Sequence, residues 1–432
     1  MRDFTILSMK YTKSIGTRDI LPEEAVIWEY ALSVLREASS LYGYGEIRTP
    51  AFENAEVFIH SVGDTSDIVT KEMYLFQDKS ERQLVLKPEG TASIVRAYVE
   101  NHYHVKPKPV KLYYIDTFHR YERPQKGRYR EFHQYGAELF GSQEPSSDAE
   151  LIELCIFILK KLGFQHLVLD LNSIGCKICR PPFREKLIAF LRSKVQQLCK
   201  DCSERIEKNP LRVLDCKNPI CQAAIVGAPC MEEHLCEDCK AHYSELQKYL
   251  DHLQISYRKN PLLVRGLDYY QRTVFEVLSS DLGSQSALLG GGRYDELVES
   301  MGGPATPAIG FAMGLERLIM LLQQLPDPLP LQSLHPHCFI AIESSQQLTL
   351  ALQIASLLRQ NRYRTEIDLE AKGIKKGLEI AIKKNASFAL MLGSQEISLD
   401  QVTIKDLAQR TQESIPLKEL LPYLNQRGGT IE

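Results

Sequence analysis

A basic hairpin between residues 110 and 136 constrains the fold of this chain more than any other segment. Residues 120–136 read RYERPQKGRYREFHQYG. Pro124 and Gly127 break any regular element at the centre. VKLYYIDTF before them, and Tyr129, Phe132 and Tyr135 among polar neighbours after them, have the character of strands. The segment therefore predicts two strands joined by a long, positively charged loop.

The composition of this loop indicates that it binds phosphate. Guanidinium groups grip phosphate and carboxylate in a fixed, two-pronged geometry that lysine cannot reproduce. The cationic or amide side chains are Arg120, Arg123, Gln125, Lys126, Arg128 and Arg130. The alternative is a solvated surface hairpin. Such a surface usually carries more acidic residues between the basic ones, whereas here only Glu122 and Glu131 do, at spacings that suit partners of arginines. We interpret the hairpin as a site for a nucleoside triphosphate, with a nucleic-acid end close by.

Size and charge place the chain among soluble globular proteins. Its 432 residues suffice for two or three domains, and its apolar fraction of 44% and charged fraction of 25% are ordinary. The net charge is −3, so a surface for nucleic acid must be a local basic patch. Because no apolar run could span a bilayer and the first residues lack a signal-peptide core, we expect a cytoplasmic protein without membrane segments.

The pattern along the chain predicts a core with an insertion, followed by a second domain. We expect the core to cover residues 1–325, interrupted at residues 176–256 by a mostly helical, cysteine-rich module. Residues 326–336 form a proline-rich linker. Residues 337–432 alternate strands and helices, which predicts a small α/β domain with a largely parallel sheet.

Three segments of the core combine regular elements with polar groups. LVLKPEGTASIVRAYVEN predicts a strand, a turn and a helix that Thr91 could cap. PLLVRGLDYY predicts a return of strand structure. PAIGFAMGLERLIMLLQQL predicts a strand running into an apolar helix, with Arg317 on its first turns. Gly290, Gly291 and Gly292 allow close backbone approach, but the GK[ST] ending of a P-loop is missing.

Nine of the eleven cysteines lie between Cys176 and Cys239. Without an export signal a disulfide framework is disfavoured. Three CxxC pairs indicate a structural zinc site, in which the first and last pairs could meet where the module leaves and re-enters the core. Reduced thiols packed as small apolar residues are the alternative, and the sequence leaves both open. A catalytic zinc is disfavoured, since no arrangement of histidines around a water is evident.

In their order along the chain, these segments resemble the motifs of the class II aminoacyl-tRNA synthetases, and specifically of the bacterial histidyl-tRNA synthetase family. RTPAFE, with Pro50, resembles motif 1 at the dimer interface. FHRYERPQKGRYREFHQYGAE resembles motif 2, and AIGFAMGLERL resembles motif 3. LVRGLDYY and GGGRYDEL resemble two signatures peculiar to the histidine enzymes. The resemblance implies an α/β (α+β) protein with an antiparallel-sheet core, a helical insertion, a C-terminal anticodon-binding domain and a homodimeric assembly.

The resemblance also implies roles for individual residues. Six of them would surround the histidine substrate: Glu89, Thr91, Gln134, Glu138, Tyr269 and Tyr270. Gln134 and Glu138 would bind its amino group, and the two tyrosines would close around its imidazole.

Three arginines would serve catalysis. Arg120 and Arg265 would reach the α-phosphate of ATP and the substrate carboxylate, and Arg317 would stack on adenine or hold the γ-phosphate. Four loop residues would meet the acceptor end of the tRNA: Arg123, Gln125, Lys126 and Arg128.

The implied activity is ATP-dependent ligation of L-histidine to tRNA(His) through a histidyl-adenylate, with Mg²⁺ on the ATP and release of AMP and pyrophosphate. Two other interpretations compete with it. A regulatory paralogue, which serves ATP phosphoribosyltransferase, shares the core but generally lacks the full motif set and the C-terminal domain. A general RNA-binding module does not explain the residues expected in a buried pocket.

Overall fold

The structure, a computed structural model, describes residues 11–63, 66, 68–125, 127–279, 286–331 and 333–427. The chain divides into two compact units, Met1–Pro330 and Leu331–Glu432. Across these described ranges, no helix is both long enough and apolar enough to cross a membrane.

The strands of the first unit form one large sheet and one small sheet. In chain order they are β1 (Gly45–Glu46), β2 (Phe52–Asn54), β3 (Tyr74–Gln77), β4 (Gln83–Leu86), β5 (Val110–His119), β6 (Glu131–Phe140), β7 (Leu167–Ser173), β8 (Tyr257–Lys259), β9 (Gln271–Ser279), β10 (Ser286–Arg293) and β11 (Ala308–Gly314).

The helices of the first unit flank these sheets and build the cysteine-rich module. They are α1 (Pro22–Leu41), α2 (Glu56–Val62), α3 (Thr91–Glu100), α4 (Pro145–Lys161), α5 (Arg180–Ser193), α6 (Lys200–Lys208), α7 (Leu211–Leu214), α8 (Pro219–Ala224), α9 (Glu237–His252), α10 (Leu297–Ser300) and α11 (Leu315–Leu322).

The large sheet has the strand order β1-β5-β6-β11-β10-β9-β7-β8. Its six central strands, from β5 to β7, pair antiparallel, and parallel pairs occur only at the two edges, β1 with β5 and β7 with β8. The antiparallel core that the family resemblance implied is thereby confirmed. So is the basic hairpin, in which β5 and β6 pair from Val110 opposite Phe140 to His119 opposite Glu131.

Four helices cover one face of this sheet. Helices α1, α4, α9 and α11 turn apolar stripes towards it, and Trp28, Leu35, Leu154, Leu246 and Leu318 are buried there in one cluster. Each such side chain contributes about 1.5–3 kcal/mol through removal of apolar surface from water. The opposite face of the central strands remains for the polar residues of the candidate site.

Two local predictions were wrong. LLVRGLDYY is not a strand: residues 260–270 form a loop between β8 and β9, in which Pro261 and Gly266 interrupt the extended pattern. Thr91 does not cap α3 with its side chain. Gly90 holds the cap position, and the carboxylate of Glu89 accepts from the amide N–H groups of Thr91 and Ala92.

The second unit is an α/β sandwich. Its strands are β12 (Cys338–Ile342), β13 (Thr365–Ile367), β14 (Phe388–Leu392), β15 (Gln401–Asp406) and β16 (Thr411–Pro416), in the order β13-β12-β14-β15-β16. Its helices are α12 (Leu348–Gln360), α13 (Ile374–Lys383), α14 (Ser394–Ser398) and α15 (Leu420–Gln426). Strands β13, β12 and β14 are parallel, whereas β15 and β16 run antiparallel. The α/β domain predicted for this part of the chain is confirmed, but its sheet is mixed rather than largely parallel, because two of its four strand pairs are antiparallel.

Candidate active site

A polar cleft of about 330 Å³ opens over the central strands of the large sheet. It brings together three predicted catalytic arginines, Arg120, Arg265 and Arg317, although 197 residues of sequence separate the first from the last (317 − 120). Arg128, from the loop of the basic hairpin, and Gln134, from its second strand, line the same cleft. A single cleft with this many guanidinium groups suits a polyanion.

Arg120 follows the last residue of β5 and is anchored at its inner end. Its Nε donates to the carbonyl oxygen of Pro88 at 2.8 Å. Its guanidinium carbon lies 5.3 Å from the ring centre of Phe132, in a cation–π contact. These two contacts hold the guanidinium in place where Arg120 lines the cleft.

Arg265 lies in the loop before β9 and pairs with Glu276 of that strand, with 3.2 Å between Nη1 and Oε1. The guanidinium fills the space above Gly290 of β10, where any Cβ would overlap it. Its buried Nε has no hydrogen-bond partner among the described residues. A side chain held in place with an unused buried donor fits a group that receives an anionic ligand.

Arg317 is the third residue of α11 and donates from Nη1 to the carbonyl of Ala287 at 2.8 Å. Within the described part of the chain, no carboxylate pairs with it as a salt bridge. Burial lowers its pKa, and the nearby Arg128 guanidinium adds to that effect. A structural ion pair therefore does not account for this arginine, whereas an anionic or aromatic ligand would.

The loop between β5 and β6 is closed by Gln125 and Arg128, whose backbones exchange two hydrogen bonds of 2.8 and 3.1 Å. Arg128 also pairs with Glu122 at 3.3 Å. Arg123 and Gln125 are exposed at the tip of the loop, outside the cleft lining. Lys126 lies outside the residues that the structure describes.

Two buried carboxylates lie next to this cleft. Glu89 Oε2 accepts from the amide of Thr91 at 2.8 Å, and Oε1 accepts from the amide of Ala92 at 2.7 Å. Thr91 Oγ1 in turn donates to Glu138 Oε1 at 2.7 Å. Glu89 lies in the turn before α3 and Glu138 lies within β6. Thr91 connects the two carboxylates, because its amide donates to Glu89 and its hydroxyl donates to Glu138.

Burial raises the pKa of Glu138 to about 8, against the lowering effect of hydrogen bonds from Tyr294 and Thr91. Burial raises the pKa of Glu89 as well. The Glu138 carboxylate fills the space above Gly310 of β11, where a Cβ would overlap it. Among the described residues no cation forms a salt bridge with Glu138. Two carboxylates with raised pKa values fit an ammonium ligand that would stabilise their charged forms.

Aromatic rings wall this carboxylate site. The ring centres of Tyr269 and Tyr270 are 4.7 Å apart, and Tyr269 lies 5.6 Å from Tyr294 in an edge-on contact. The hydroxyl of Tyr269 is 3.5 Å from Glu89 Oε2. The phenol of Tyr114 enters between Gly90 and Gly136, either of which would overlap it if it carried a Cβ.

Two buried polar atoms here, the Tyr114 hydroxyl and Gln134 Oε1, have no hydrogen-bond partner in the described ranges. Such atoms are usually satisfied by water or a ligand. Carboxylates for an ammonium, aromatic walls and adjoining arginines together could hold a small amino acid beside a nucleotide.

Sequence reasoning missed three residues of this arrangement: Tyr114, Glu276 and Tyr294. Tyr294 stands within GGGRYDEL, so its signature was visible but its contact with Glu138 was not. Tyr114 and Glu276 lie in strands whose apolar pattern is ordinary. In the sequence they cannot be told apart from core and surface residues, and only the neighbouring strands in the folded sheet reveal their place in the site.

Family profiles cover both units. A profile described as Histidyl-tRNA synthetase matches residues 16–318, and one described as Anticodon binding domain matches residues 337–427.

Curated relatives align along nearly the whole chain. A protein named Histidine--tRNA ligase from Thermodesulfovibrio yellowstonii is 45% identical over 422 residues, which cover 98% of this chain and 100% of that protein. One of the same name from Caldanaerobacter subterraneus subsp. tengcongensis is 44% identical over 405 residues, covering 94% and 97%.

Solved structures share the architecture. Apo histidyl-tRNA synthetase of S. aureus has a TM-score of 0.81 at 34% identity, covering 96% of this chain and 99% of that one. A Bacillus halodurans protein titled ATP phosphoribosyltransferase regulatory subunit/histidyl-tRNA synthetase has a TM-score of 0.64 at 24% identity, covering 89% and 99%, which shows a shared fold alone. From its profile match and its full-length relatives, we conclude that the chain belongs to the histidyl-tRNA synthetase family.

Proposed function

We propose that this protein is a histidine–tRNA ligase. It would join L-histidine to ATP as a histidyl-adenylate with release of pyrophosphate, and then transfer the histidyl group to tRNA(His) with release of AMP. The observation that carries the proposal is the junction of two sites: the linked carboxylates Glu89 and Glu138 lie beside a cleft lined by Arg120, Arg265 and Arg317. An amino acid and a triphosphate would meet at that junction.

Histidine would bind with its ammonium group on Glu138 and Gln134, next to Thr91. The buried, unpartnered Oε1 of Gln134 would gain a donor, and the ammonium would favour the ionised form of Glu138. The imidazole would lie among Tyr269, Tyr270 and the Glu89 carboxylate. Selection for imidazole follows because a side chain without ring N–H groups would leave buried polar atoms unpaired.

The activation step requires two anions to react, the histidine carboxylate and the α-phosphate of ATP. A carboxylate oxygen forms a bond to the α-phosphorus while the bond from that phosphorus to the pyrophosphate oxygen breaks. Arg120 and Arg265 are held in place by protein contacts, so they would neutralise both reactants without reorganising. Arg317 would hold the adenine ring or the γ-phosphate.

Magnesium bound with the nucleotide would offset the negative charge of the phosphates. Carboxylate oxygens of Glu122 and Glu276 line the same cleft and are suitable magnesium ligands. The transfer step needs no protein nucleophile, since a hydroxyl of the terminal ribose attacks the activated carbonyl carbon and AMP leaves.

We propose contacts at both ends of the tRNA. The β5–β6 loop, with Arg123, Gln125 and Arg128, would meet the acceptor end, and so would Lys126, which lies outside the described residues. The C-terminal unit would meet the anticodon, with Lys375 and Lys376 on the exposed face of α13 contacting the phosphate backbone.

We also propose a homodimer that works in the cytoplasm, where tRNA is charged. The small sheet β2-β4-β3, which follows Pro50, supports a dimer contact there. It exposes Phe52, Phe76 and Leu75, and the rings of the two phenylalanines lie 6.3 Å apart, edge to face. A contiguous exposed aromatic pair on a sheet is typical of a protein interface.

The competing function is a regulatory subunit, and the fold shared with the Bacillus halodurans protein keeps it in consideration. Histidine-dependent exchange of radioactive pyrophosphate into ATP separates the two. We expect exchange that requires histidine, ATP and Mg²⁺ and needs no tRNA. A protein that binds histidine but exchanges no pyrophosphate and charges no tRNA would be the regulator.

A further inference from the structure

Eight cysteines of the helical module gather into two groups of four. The first tetrad is Cys176, Cys179, Cys236 and Cys239, and the second tetrad is Cys199, Cys202, Cys216 and Cys221. Within each tetrad all four sulfur atoms lie within 4.8 Å of one another. The first tetrad joins the outermost CxxC pairs, which the sequence had suggested, whereas the second combines the middle pair with two cysteines that show no CxxC spacing.

The sulfur separations match a tetrahedral ion. With Zn–S bonds of about 2.3 Å, the sulfur atoms of a tetrahedral site are about 3.8 Å apart. The separation is 3.6 Å for Cys176–Cys179, 3.9 Å for Cys176–Cys236 and 4.0 Å for Cys199–Cys216. A disulfide needs about 2.05 Å, and all eleven cysteines are free. An iron–sulfur cluster would require larger distances between the cysteine sulfurs, because several irons and inorganic sulfides would lie between them.

Backbone amides point at these sulfurs. The N–H of Cys236 donates to Cys179 Sγ at 3.1 Å, and the N–H of Cys199 donates to Cys221 Sγ at 3.1 Å. The N–H of Ile178 donates to Cys176 Sγ at 3.4 Å. Such donors stabilise thiolates and orient them as ligands. Thiols packed as apolar groups would not need them, so both tetrads have the outer contacts of metal sites.

The segments around the second tetrad are short helices whose apolar side chains, such as Ile206 and Val213, belong to a buried cluster of the module. Helices α6, α7 and α8 have only 9, 4 and 6 residues. Helices this short are marginal by themselves, so a cross-link between them would add to the stability that their apolar contacts supply. An ion in the second tetrad would tie together the residues before α6, within α6, after α7 and within α8.

The stretch between Cys202 and Cys216 contacts the loop that carries the proposed histidine residues. Asn209 Nδ2 donates to Asp268 Oδ1 at 2.7 Å, and Arg212 Nη1 donates to the carbonyl of Arg265 at 3.3 Å. From the first tetrad, Arg180, the neighbour of Cys179, donates to the carbonyl of Tyr270. Both tetrads therefore support loop 260–270. The first does so through Arg180, next to Cys179, and the second through the segment between Cys202 and Cys216.

We propose that this chain binds two structural zinc ions, one in each cysteine tetrad, and that the ion of the second tetrad positions the loop bearing Arg265, Tyr269 and Tyr270. Tetrahedral sets of four sulfurs favour zinc over magnesium or calcium. The metal sites stand independently of the proposed ligase activity, and the positioning role rests on it.

Elemental analysis of the full-length protein, purified without chelator in the presence of reductant, tests the metal sites. We expect two zinc ions per chain. Replacing Cys202 and Cys221 together by serine should leave one, as should replacing Cys179 and Cys239. Cys230→Ser is the matched control, because Cys230 belongs to neither tetrad and should retain two. Fewer than two zinc ions in the wild type, or iron with acid-labile sulfide, would overturn the assignment.

Cobalt exchange keeps the test independent of variants that fail to fold. Wild-type protein loaded with Co²⁺ should bind two ions and show the ligand-field and charge-transfer bands of tetrahedral cobalt–thiolate sites. Octahedral spectra, or a single bound ion, would contradict two tetrathiolate sites.

The positioning role is tested by hydrogen exchange and kinetics on the variant with serine at 202 and 221. We expect faster amide exchange in residues 261–270 and a loss of histidine-dependent pyrophosphate exchange of about tenfold or more, with the KM for ATP unchanged. Unchanged protection of that loop in a one-zinc protein would remove the positioning role. Two zinc ions in a wild type without pyrophosphate exchange would support the metal sites and contradict the ligase.

Discussion

The guanidinium of Arg265 occupies the space above Gly290, so a side chain at position 290 and the arginine cannot both keep their places. Gly290 belongs to β10 and pairs with Glu276, the same residue whose carboxylate holds Arg265 from the neighbouring strand. One strand pair therefore supplies both the partner of Arg265 and the gap that it fills.

Gly290→Ala should move the Arg265 guanidinium without unfolding the protein, because the overlapped atoms are the end of a flexible side chain. We expect a fall of about tenfold or more in kcat for histidine-dependent pyrophosphate exchange, since a displaced group loses the geometry that stabilises the transition state. Gly45→Ala, at an exposed edge-strand position with no close neighbour, is the matched control. Full activity of Gly290→Ala would show that the placement of Arg265 is unimportant.

Arg265→Ala should lower kcat for adenylate formation by roughly a hundredfold or more, the scale of losing one preorganised donor. Its charge would matter more when charge builds up at the α-phosphate than when substrates bind, so we expect smaller changes in KM. Arg192→Ala serves as control, because Arg192 makes an exposed pair with Glu207 on the surface of the helical module. A wild-type kcat in Arg265→Ala would contradict the assignment.

Histidine binding should release a proton from Glu138. Burial raises the pKa of this carboxyl to about 8, so it is mostly protonated at pH 7 without ligand and must ionise to bind an ammonium group. Calorimetry at pH 7 in two buffers of different ionisation enthalpy measures the release. Glu138→Gln should bind histidine weakly and without this proton. Equal enthalpies for the wild type in both buffers would rule out the linkage.

The same raised pKa makes Glu138 a cost to stability at neutral pH. The unfolded carboxyl ionises near its ordinary value of 4.5, whereas the folded one stays protonated to about 8. The unfolded state therefore binds fewer protons in this window. Stability falls as pH rises through it, by about 1.4 kcal/mol per unit from this group. We expect Glu138→Gln to show a flatter dependence of unfolding free energy on pH between 5 and 8 than the wild type.

Removal of residues 335–432 should largely spare pyrophosphate exchange and sharply reduce aminoacylation. The proposed histidine and ATP residues all lie in the first compact unit, Met1–Pro330. Adenylate formation needs no tRNA, whereas charging would lose the anticodon contacts. Aminoacylation assays with tRNA(His) at several salt concentrations measure the difference. A truncated protein that charges tRNA as well as the full chain would show that the second unit is no anticodon domain.

Sedimentation at micromolar concentration should show a dimer. Phe76→Glu places a charge in the exposed aromatic pair of the small sheet and should shift the equilibrium towards monomer, with Leu399→Glu, an exposed leucine of the second unit, as control. A stable and active wild-type monomer would contradict the proposed assembly.

Elements with a local signal could be predicted from the residues alone. Strand-like segments on both sides of Pro124 and Gly127 predicted the β5–β6 hairpin. The strand that leads into the helix of Arg317 was predicted in the same way. Both predictions succeeded because side-chain periodicity and chain breakers act over a few residues. Ordered motifs likewise identified the family. Two local predictions from the sequence were wrong. LLVRGLDYY forms a loop instead of a strand, and the Glu89 carboxylate, not the Thr91 side chain, accepts from the first amides of α3.

Contacts between residues that are distant in the sequence became visible only in the folded chain. Strand pairing put Gly310 opposite Glu138 and brought Tyr294 onto the same carboxylate, contacts that no spacing in the chain encodes. Chain folding likewise sorted eight of the nine clustered cysteines into two tetrads and left Cys230 aside. The physical reason is that local propensity depends on near neighbours. A site depends on the register and packing of elements whose separation in sequence carries no information about their distance in space.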